Sequence, residues 1–207
     1  PISNLPVGLT KYLVFLSVLF FSMCSYEKSR LDLIEEKQAE QLKTGIRTDT
    51  VFKGFVYGMT HKQTFEKFRE LAADSIFIIK KNGLFEYQMN LDTSKIRVGF
   101  HTEFYHDSLY SFSMILKGNS PSQAEQLQHK MVDSFLKENG EPIKFPSVSD
   151  KTKDDYYFIK GNQTIEIKYP HLSNKAVVTF SDYSIERWKN IEDLQTKKMH
   201  DTKLGHN

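Results

Sequence analysis

The sequence predicts an α+β fold in which two tandem units, each a helix followed by a meander of antiparallel strands, form one sheet with helices packed on one face. A short C-terminal helix follows. The capping sequences Thr60-x-x-Gln63 and Ser120-x-x-Gln123 each precede an apolar stripe at helical spacing. Behind each stripe, apolar and polar residues alternate, and the 16 Phe and 10 Tyr of the chain favour strands.

The chain opens with an apolar run that predicts a secretory signal over residues 1–23. Lys11 precedes an uninterrupted apolar stretch from Tyr12 to Phe21. This stretch is much shorter than the ~20 residues that cross a bilayer as a helix. A positive residue followed by a short apolar core is typical of exported proteins. An uncleaved membrane anchor is the alternative interpretation.

Cys24, the one cysteine in the chain, follows this run directly. The arrangement resembles the lipobox of bacterial lipoproteins, with Phe21 and Met23 at positions where that family usually has Leu and Gly or Ala. The resemblance implies cleavage before Cys24 and a firm lipid anchor on it. The residue after Cys24 is Ser25 rather than Asp. In the lipoprotein family this implies an outer-membrane location facing the periplasm of a Gram-negative cell envelope. An ordinary signal peptide with an incidental cysteine is the alternative.

Residues 24–50 predict a tether between the anchor and the folded head. They are charged and carry no large apolar face, since only Leu31, Ile34 and Leu42 recur near helical spacing. We expect a solvated linker or a loose helix that ends near Gly45.

The head is expected over residues 51–195, with units at 51–118 and 119–183. The first helix should end near Asp74. The second has Pro121 at a favoured first helical position and should end at Gly140. Turns between strands are expected at three places: Asn82-Gly83, residues 106–108 and residues 160–162.

The final element predicted is a short helix after Ser184. Ile185, Trp188, Ile191 and Leu194 recur there at roughly helical spacing. We expect a frayed polar tail over residues 196–207.

Part of the head resembles small periplasmic lipoproteins of the BamE (SmpA/OmlA) type and folds like that of β-lactamase inhibitor protein. Gly58-Met59-Thr60 and the strands "FEYQM" and "FYHDSLYSFSM" carry the resemblance, which covers Tyr57 to Leu116. Such proteins are adaptors and inhibitors that bind other proteins through the sheet or loops. The resemblance therefore implies a protein partner in the envelope.

No catalytic motif is found, and the sequence predicts no cofactor. His101 and Glu103, two residues apart on a strand, could offer two metal ligands, but no third is identified and a polar outer face explains them more simply. His61, just inside a helix cap, is expected to be solvated. The net charge of +2 gives no electrostatic footprint for nucleic acid, and a single cysteine forms no internal disulfide.

Three aromatic residues are the candidates for binding: Tyr105, Tyr157 and Trp188. The two tyrosines lie in aromatic strand segments that could stack on a sugar or pack into the core. Trp188 could be a binding hot spot, although a Trp that fixes the last helix to the sheet is commoner. The sequence thus predicts a non-catalytic protein-binding or adaptor module. The alternatives are a glycan- or lipid-binding module and, third, a hydrolase near His101.

Overall fold

The computed structural model describes residues 29–81, 83–91, 94–148, 151–170 and 173–204 of the chain. The chain divides into two compact units, Pro1–Leu33 and Ile34–Asn207. In the first, Ser29 caps a helix start, because its hydroxyl accepts the backbone N–H of Asp32 at 3.2 Å. The predicted signal segment and Cys24 lie outside the described residues.

Helices and strands alternate in blocks along the described chain. In order they are α1 (Arg30–Leu42), α2 (His61–Ala73), β1 (Phe77–Ile79), β2 (Phe85–Leu91), β3 (Ser94–Tyr105), β4 (Ser108–Lys117), α3 (Pro121–Asn139), β5 (Ile143–Pro146), β6 (Asp154–Lys160), β7 (Gln163–Lys168), β8 (Lys175–Asp182) and α4 (Tyr183–Leu204). The strands form one antiparallel sheet in the order β1-β2-β3-β4-β8-β7-β6-β5. The predicted mixture of helices with an antiparallel sheet is confirmed.

Side chains cap the starts of α2 and α3. At α2, Thr60 accepts the N–H of Gln63 at 3.2 Å, and the Gln63 side chain accepts the Thr60 N–H at 2.9 Å, so the predicted capping box is complete. At α3, Ser120 accepts the N–H of Gln123 at 3.2 Å. The Gln123 side chain instead accepts the N–H of Asn119, one residue before the cap.

Helices α2 and α3 pack against the same face of the sheet, which we call the core face. The ring of Phe68 on α2 lies 6.3 Å from that of Phe112 on β4. The ring of Phe135 on α3 lies 5.8 Å from that of Phe180 on β8. Phe112 and Phe180 are paired across neighbouring strands and therefore share a face.

An aromatic cluster fills the core under α2. The ring of Phe55 lies 4.6 Å from that of Phe68 and 4.9 Å from that of Phe112, and Phe77 lies 4.8 Å from Phe100. Phe55 and Phe112 are completely buried. Burial of this apolar surface is the main stabilising term of the fold, at about 25 cal/mol per Å².

The opposite face of the sheet, which we call the second face, also carries helices. On α1, Ile34 is buried and the Gln38 side chain donates to the Thr164 hydroxyl on β7 at 2.8 Å. On α4, the Lys189 ammonium lies 5.9 Å from the ring centre of Tyr110 on β4. The expectation of helices on one face is therefore incomplete. The sequence does not indicate that α1 packs on the sheet, because part of this contact is the polar hydrogen bond between Gln38 and Thr164.

The stretch assigned to the tether continues onto the sheet after α1. The N–H of Thr48 donates to the Asn162 side chain at 2.7 Å, and that side chain donates back to the Thr48 carbonyl at 3.2 Å. Gln41 accepts the N–H of Gly161 at 3.2 Å. Gln41 and Thr48 thus hold this stretch against the β6–β7 turn, while most of its side chains are exposed.

The last helix is longer than predicted. Buried Asp182 accepts the N–H of Ser184 at 2.9 Å and caps α4, which runs to Leu204 through part of the expected polar tail. Lysine, glutamine and methionine after residue 194 are good helix formers, which explains the extension. Among the described residues, no helix combines the length and apolarity needed to cross a membrane.

Candidate functional site

Tyr105 connects the sheet to α4. Its hydroxyl donates to Glu192 at 2.5 Å, and the imidazole of His106 lies 3.1 Å from the same carboxylate oxygen. These hydrogen bonds lower the pKa of Glu192 and, through the bond to Glu192, raise the pKa of Tyr105. Tyr105 therefore has a structural partner on α4 through its hydroxyl.

Tyr157 is buried on the second face of β6. Its hydroxyl donates to the Glu166 carboxylate, and its ring meets that of Phe145 edge to face at 6.0 Å. A sugar ring has no access to the face of a side chain held in this way. The structure does not support a stacking role for Tyr157.

Trp188 on α4 is largely exposed, with 66% of its surface accessible to solvent. The expectation that Trp188 fixes α4 to the sheet is therefore wrong. The contact with Tyr110 on β4 is made instead by Lys189, the next residue of the helix. Ile191 and Leu194 continue the exposed apolar stripe. Among the described ring contacts, none joins Trp188 to Tyr105 or Tyr157.

The candidate metal ligands lie on the second face of β3. The imidazole Nε2 of His101 is 3.6 Å from the Glu103 carboxylate, and both side chains are exposed. Glu103 also accepts the hydroxyl of Tyr110 at 2.5 Å. Within the part of the chain that the structure describes, no three His, Cys, Asp or Glu side chains are grouped to hold a metal ion.

A cluster of carboxylates lies beneath α4. Burial is the main reason that the pKa of Glu186 is raised, and the neighbouring charges of Glu166 and Glu103 raise it further. Lys168, 2.6 Å from Glu166, and Lys189 partly offset this. Lysines compensate this cluster only in part, because the pKa of Glu186 stays raised.

The feature that sequence reasoning missed is the outer edge of β1. β1 pairs with β2 alone and forms one end of the sheet, so its other side has no strand partner among the described strands. Five large apolar side chains on or beside this strand are exposed. We call them the β1 edge surface: Phe65, Ile76, Ile78, Ile79 and Leu84.

The backbone geometry between α2 and β1 determines where the β1 edge surface lies. Ser75, after the end of α2, has a left-handed φ of 59°, and its N–H bonds to the Ala72 carbonyl at 3.1 Å. The N–H of Ile76 bonds to the Leu71 carbonyl at 2.9 Å, which completes a Schellman motif. The motif turns the chain directly from α2 into β1.

Both sides of β1 are apolar at this edge. Ile78 and Ile79 are adjacent, so their side chains point to opposite faces of the sheet, and they are 44% and 55% exposed. Leu84 in the following turn is 62% exposed. A strand added here would bury apolar surface on both of its faces.

The other end of the sheet is protected from such pairing. The edge strand β5 contains Lys144 and ends at Pro146, which has no N–H to donate. Phe145 on β5 is packed against Tyr157 rather than left exposed. The contrast between the two edges indicates that the exposure at β1 is specific to that edge.

Comparisons with known proteins add no relative. No family model matches the chain, and no curated protein and no solved structure matches it.

Proposed function

We propose that the protein is a lipoprotein of the cell envelope whose head is a non-catalytic protein-binding module. The observation that carries the binding role is the open, apolar edge of β1. Exposed strand edges are usually blunted by charge or proline, as β5 is, because they template pairing with other chains. An edge that keeps its isoleucines exposed suits a partner that adds a strand.

The fold supports this role in a second way. We propose that the head consists of two tandem units, α2 with β1–β4 and α3 with β5–β8, joined where β4 pairs with β8. The repeated order of one helix and four strands supports this interpretation. In such an arrangement each unit contributes one outer edge, and the first unit leaves its edge open.

The charges near β1 indicate the chemistry of the partner. Lys80 and Lys81 follow the strand, and the ammonium of Lys53 lies 5.8 Å from the ring centre of Tyr87 on the adjacent strand. Lys80 is paired with Glu86 at 2.7 Å. The partner that fits is an extended protein segment with alternating apolar side chains and acidic residues, since opposite charges favour its approach. A second copy of this chain would bring the same lysines.

The binding role is tested with a synthetic octapeptide in which valine alternates with glutamate and threonine. The full chain is titrated with this peptide and followed by amide NMR and hydrogen exchange. We expect saturable shifts at Ile76–Ile79 and slower exchange of the outward amides of β1. Ile78→Lys and Ile79→Lys should abolish both effects.

A matched control places lysine at another exposed apolar residue. Val148→Lys, at a side chain that is 86% exposed away from β1, should leave peptide binding unchanged. Binding that survives both isoleucine substitutions would refute the β1 site. A concentration-dependent dimer that Ile79→Lys disrupts would replace the partner segment with a second copy.

Lipid attachment is tested separately, because the support for it is the sequence from Tyr12 to Cys24. Cys24→Ala is compared with the unaltered chain by intact-mass measurement and cell fractionation. We expect loss of the acyl mass and release from the membrane. Identical mass and membrane retention would refute the anchor without bearing on the β1 edge.

A further inference from the structure

The exposed apolar residues of α4 form one stripe along the helix. Trp188 and Leu194 are 66% and 60% exposed, and Ile191 between them is also exposed. The three residues recur at every third position, so each lies beside the next on the helix surface. We call them the outer stripe.

A second set of residues on α4, again three positions apart, faces the sheet. Glu186 belongs to the carboxylate cluster beneath the helix. Lys189 lies 5.9 Å from the ring centre of Tyr110, and Glu192 accepts the hydroxyl of Tyr105 at 2.5 Å. Each member of the outer stripe follows one of this set by two positions, which is about 200° around the helix. The outer stripe and the sheet contacts are therefore on opposite sides of α4.

The charges of α4 are divided between the same two sides. The acidic residues of α4 whose side chains the structure describes all lie toward the sheet: Glu186, Glu192 and Asp193. The last of them pairs with Lys189 at 3.3 Å. Arg187 is exposed and lies one turn before Ile191, on the side of the outer stripe. This side thus combines apolar side chains with a cation.

The predicted lipid anchor brings a membrane within reach of α4. Ile34, buried on the second face through α1, is ten residues after Cys24, and ten residues span at most about 35 Å. Burial raises the pKa of Tyr183, the first residue of α4, and the charge of Glu35 on α1 raises it further, so the two helices are neighbours there. An acyl group on Cys24 would therefore keep α4 close to the lipid surface.

We propose that the outer stripe of α4 lies in the surface of the membrane that carries the anchor. This inference rests on the lipid anchor of the proposed function. Trp188 would place its ring at the level of the headgroups, and Ile191 and Leu194 would bury apolar surface among the acyl chains. Arg187 would meet anionic headgroups. The β1 edge, two strands beyond β3, stays open to a protein partner.

The size of the outer stripe favours a tethered membrane contact over a second copy of the chain. Three partly exposed side chains offer on the order of a few hundred Å² at most, whereas a stable dimer buries about 800 Å² on each partner. Such a small apolar surface binds a membrane weakly by itself. The anchor makes its binding intramolecular, which raises the effective concentration of lipid at α4.

Trp188 is the one tryptophan in the chain, so its fluorescence reports the position of α4 directly. The full chain is purified from bacterial membranes, and its acyl mass is measured. It is then placed in vesicles of phosphatidylethanolamine and phosphatidylglycerol, with or without bromine on the acyl chains. We expect the brominated chains to quench Trp188 strongly, to the same extent at every protein-to-lipid ratio.

Two variants and a matched control separate the contributions of the helix. Ile191→Gln with Leu194→Gln should shift α4 from membrane-bound to membrane-free by about tenfold or more, seen as loss of quenching. Arg187→Gln should shift it by about fivefold, and only in vesicles that contain phosphatidylglycerol. The control, Leu136→Gln with Val148→Gln, alters two exposed apolar residues away from α4 and should keep full quenching.

Each part of the inference has a result that overturns it. An acylated chain whose Trp188 is not quenched would overturn the membrane contact and leave the anchor intact. Equal loss of quenching in the two double variants would show that the effect is not specific to α4. Emission that moves to shorter wavelength with protein density, without quenching, would replace the membrane with a second copy. A chain without acyl mass would refute the anchor, and the inference with it, and the mass measurement identifies that cause.

Discussion

The imidazole Nδ1 of His61 lies 2.6 Å from the Asp107 carboxylate, which joins the first residue of α2 to the tip of the β3–β4 hairpin. The same oxygen accepts the backbone N–H of His61 at 3.0 Å. The adjacent His106 contacts Glu192 on α4. One hairpin tip therefore holds a helix on each face of the sheet.

Asp107→Asn should make the melting temperature vary less as the pH falls from neutral into the acid range. The hydrogen bonds from His61 lower the pKa of Asp107, so the folded state binds fewer protons than the unfolded state. This contribution is present above the ordinary aspartate pKa and is lost as pH falls through the lowered value. We expect a lower melting temperature for the variant at neutral pH and a difference that disappears in acid.

Asparagine is the informative substitution because Asp107 has a left-handed φ of 58°, which Asn tolerates. Asp133→Asn, at an exposed site on α3, serves as the control and should leave the melting curve unchanged at every pH. A constant difference between Asp107→Asn and the unaltered chain from neutral pH to acid would contradict the linkage.

Ser75→Gly should stabilise the protein. A left-handed residue other than glycine costs about 1–2 kcal/mol, and glycine offsets part of this gain by its entropy in the unfolded chain, so a net gain of about 0.5 kcal/mol is expected in denaturant unfolding. Ser134→Gly, inside α3, should instead lose about 1 kcal/mol. A loss at Ser75 would refute the Schellman geometry.

Gly161→Ala should destabilise the protein far more than Gly140→Ala. Both glycines have positive φ, 59° and 75°, but a Cβ atom at Gly161 would lie 2.2 Å from the carbonyl oxygen of Ile46. Gly140 has open space around it. Gly140, with φ of 75° and ψ of −165°, lies in a region that is almost restricted to glycine. We expect losses of more than about 4 kcal/mol for Gly161→Ala and about 2 kcal/mol for Gly140→Ala in urea unfolding. Equal losses would mean that residue 46 does not lie against the β6–β7 turn.

Phe112→Ala tests the aromatic cluster. Its ring is completely buried among Phe55, Phe68 and Phe100, so the cavity should cost about 3–5 kcal/mol of unfolding free energy. Phe65→Ala removes the same ring at a position that is 53% exposed and should cost less than about 1 kcal/mol. Similar costs for the two variants would be incompatible with this packing.

Glu186→Gln should raise the melting temperature at neutral pH. Burial raises the pKa of Glu186, so the folded state binds more protons and stability falls as pH rises from the ordinary glutamate pKa through the raised value. Glutamine removes this cost, and the difference should vanish in acid, where the glutamate is protonated. Exposed Glu138→Gln should have no effect. A lower neutral-pH melting temperature for Glu186→Gln would refute the argument.

Local signals predicted the helix boundaries in the head well. The cap at Thr60 and the end near Asp74 match α2, and Pro121 with Gly140 bounds α3. The sequence also predicted two of the turns between strands. Gly161 in one of them, and His106 and Asp107 in the other, have the positive φ of turn residues. Asn82, part of another predicted turn, lies outside the described residues. These signals depend on neighbours within a few residues, which a sequence displays directly.

Features that depend on distant pairing could not be predicted. Arg97, Lys117 and Lys175 are ordinary surface residues in the sequence, and only the strand register makes them neighbours. The contact of α1 with the sheet through Gln38 is polar, so no apolar pattern in the sequence indicates it. Helical spacing alone does not say which side of α4 meets the sheet, so the sequence could not exclude that Trp188 fixes this helix, which its exposure does.

The pairing of β4 with β8 has a consequence for folding during synthesis. Ser111 to Lys117 pair with Lys175 to Ser181, so the apolar strand at the centre of the sheet gains its partner only when the last strand has been made. Until then the emerging chain presents β4 as an uncapped edge, and long-range pairing of this kind closes slowly. Nascent chains that stop before Lys175 are therefore the species most exposed to aggregation and to capture by chaperones.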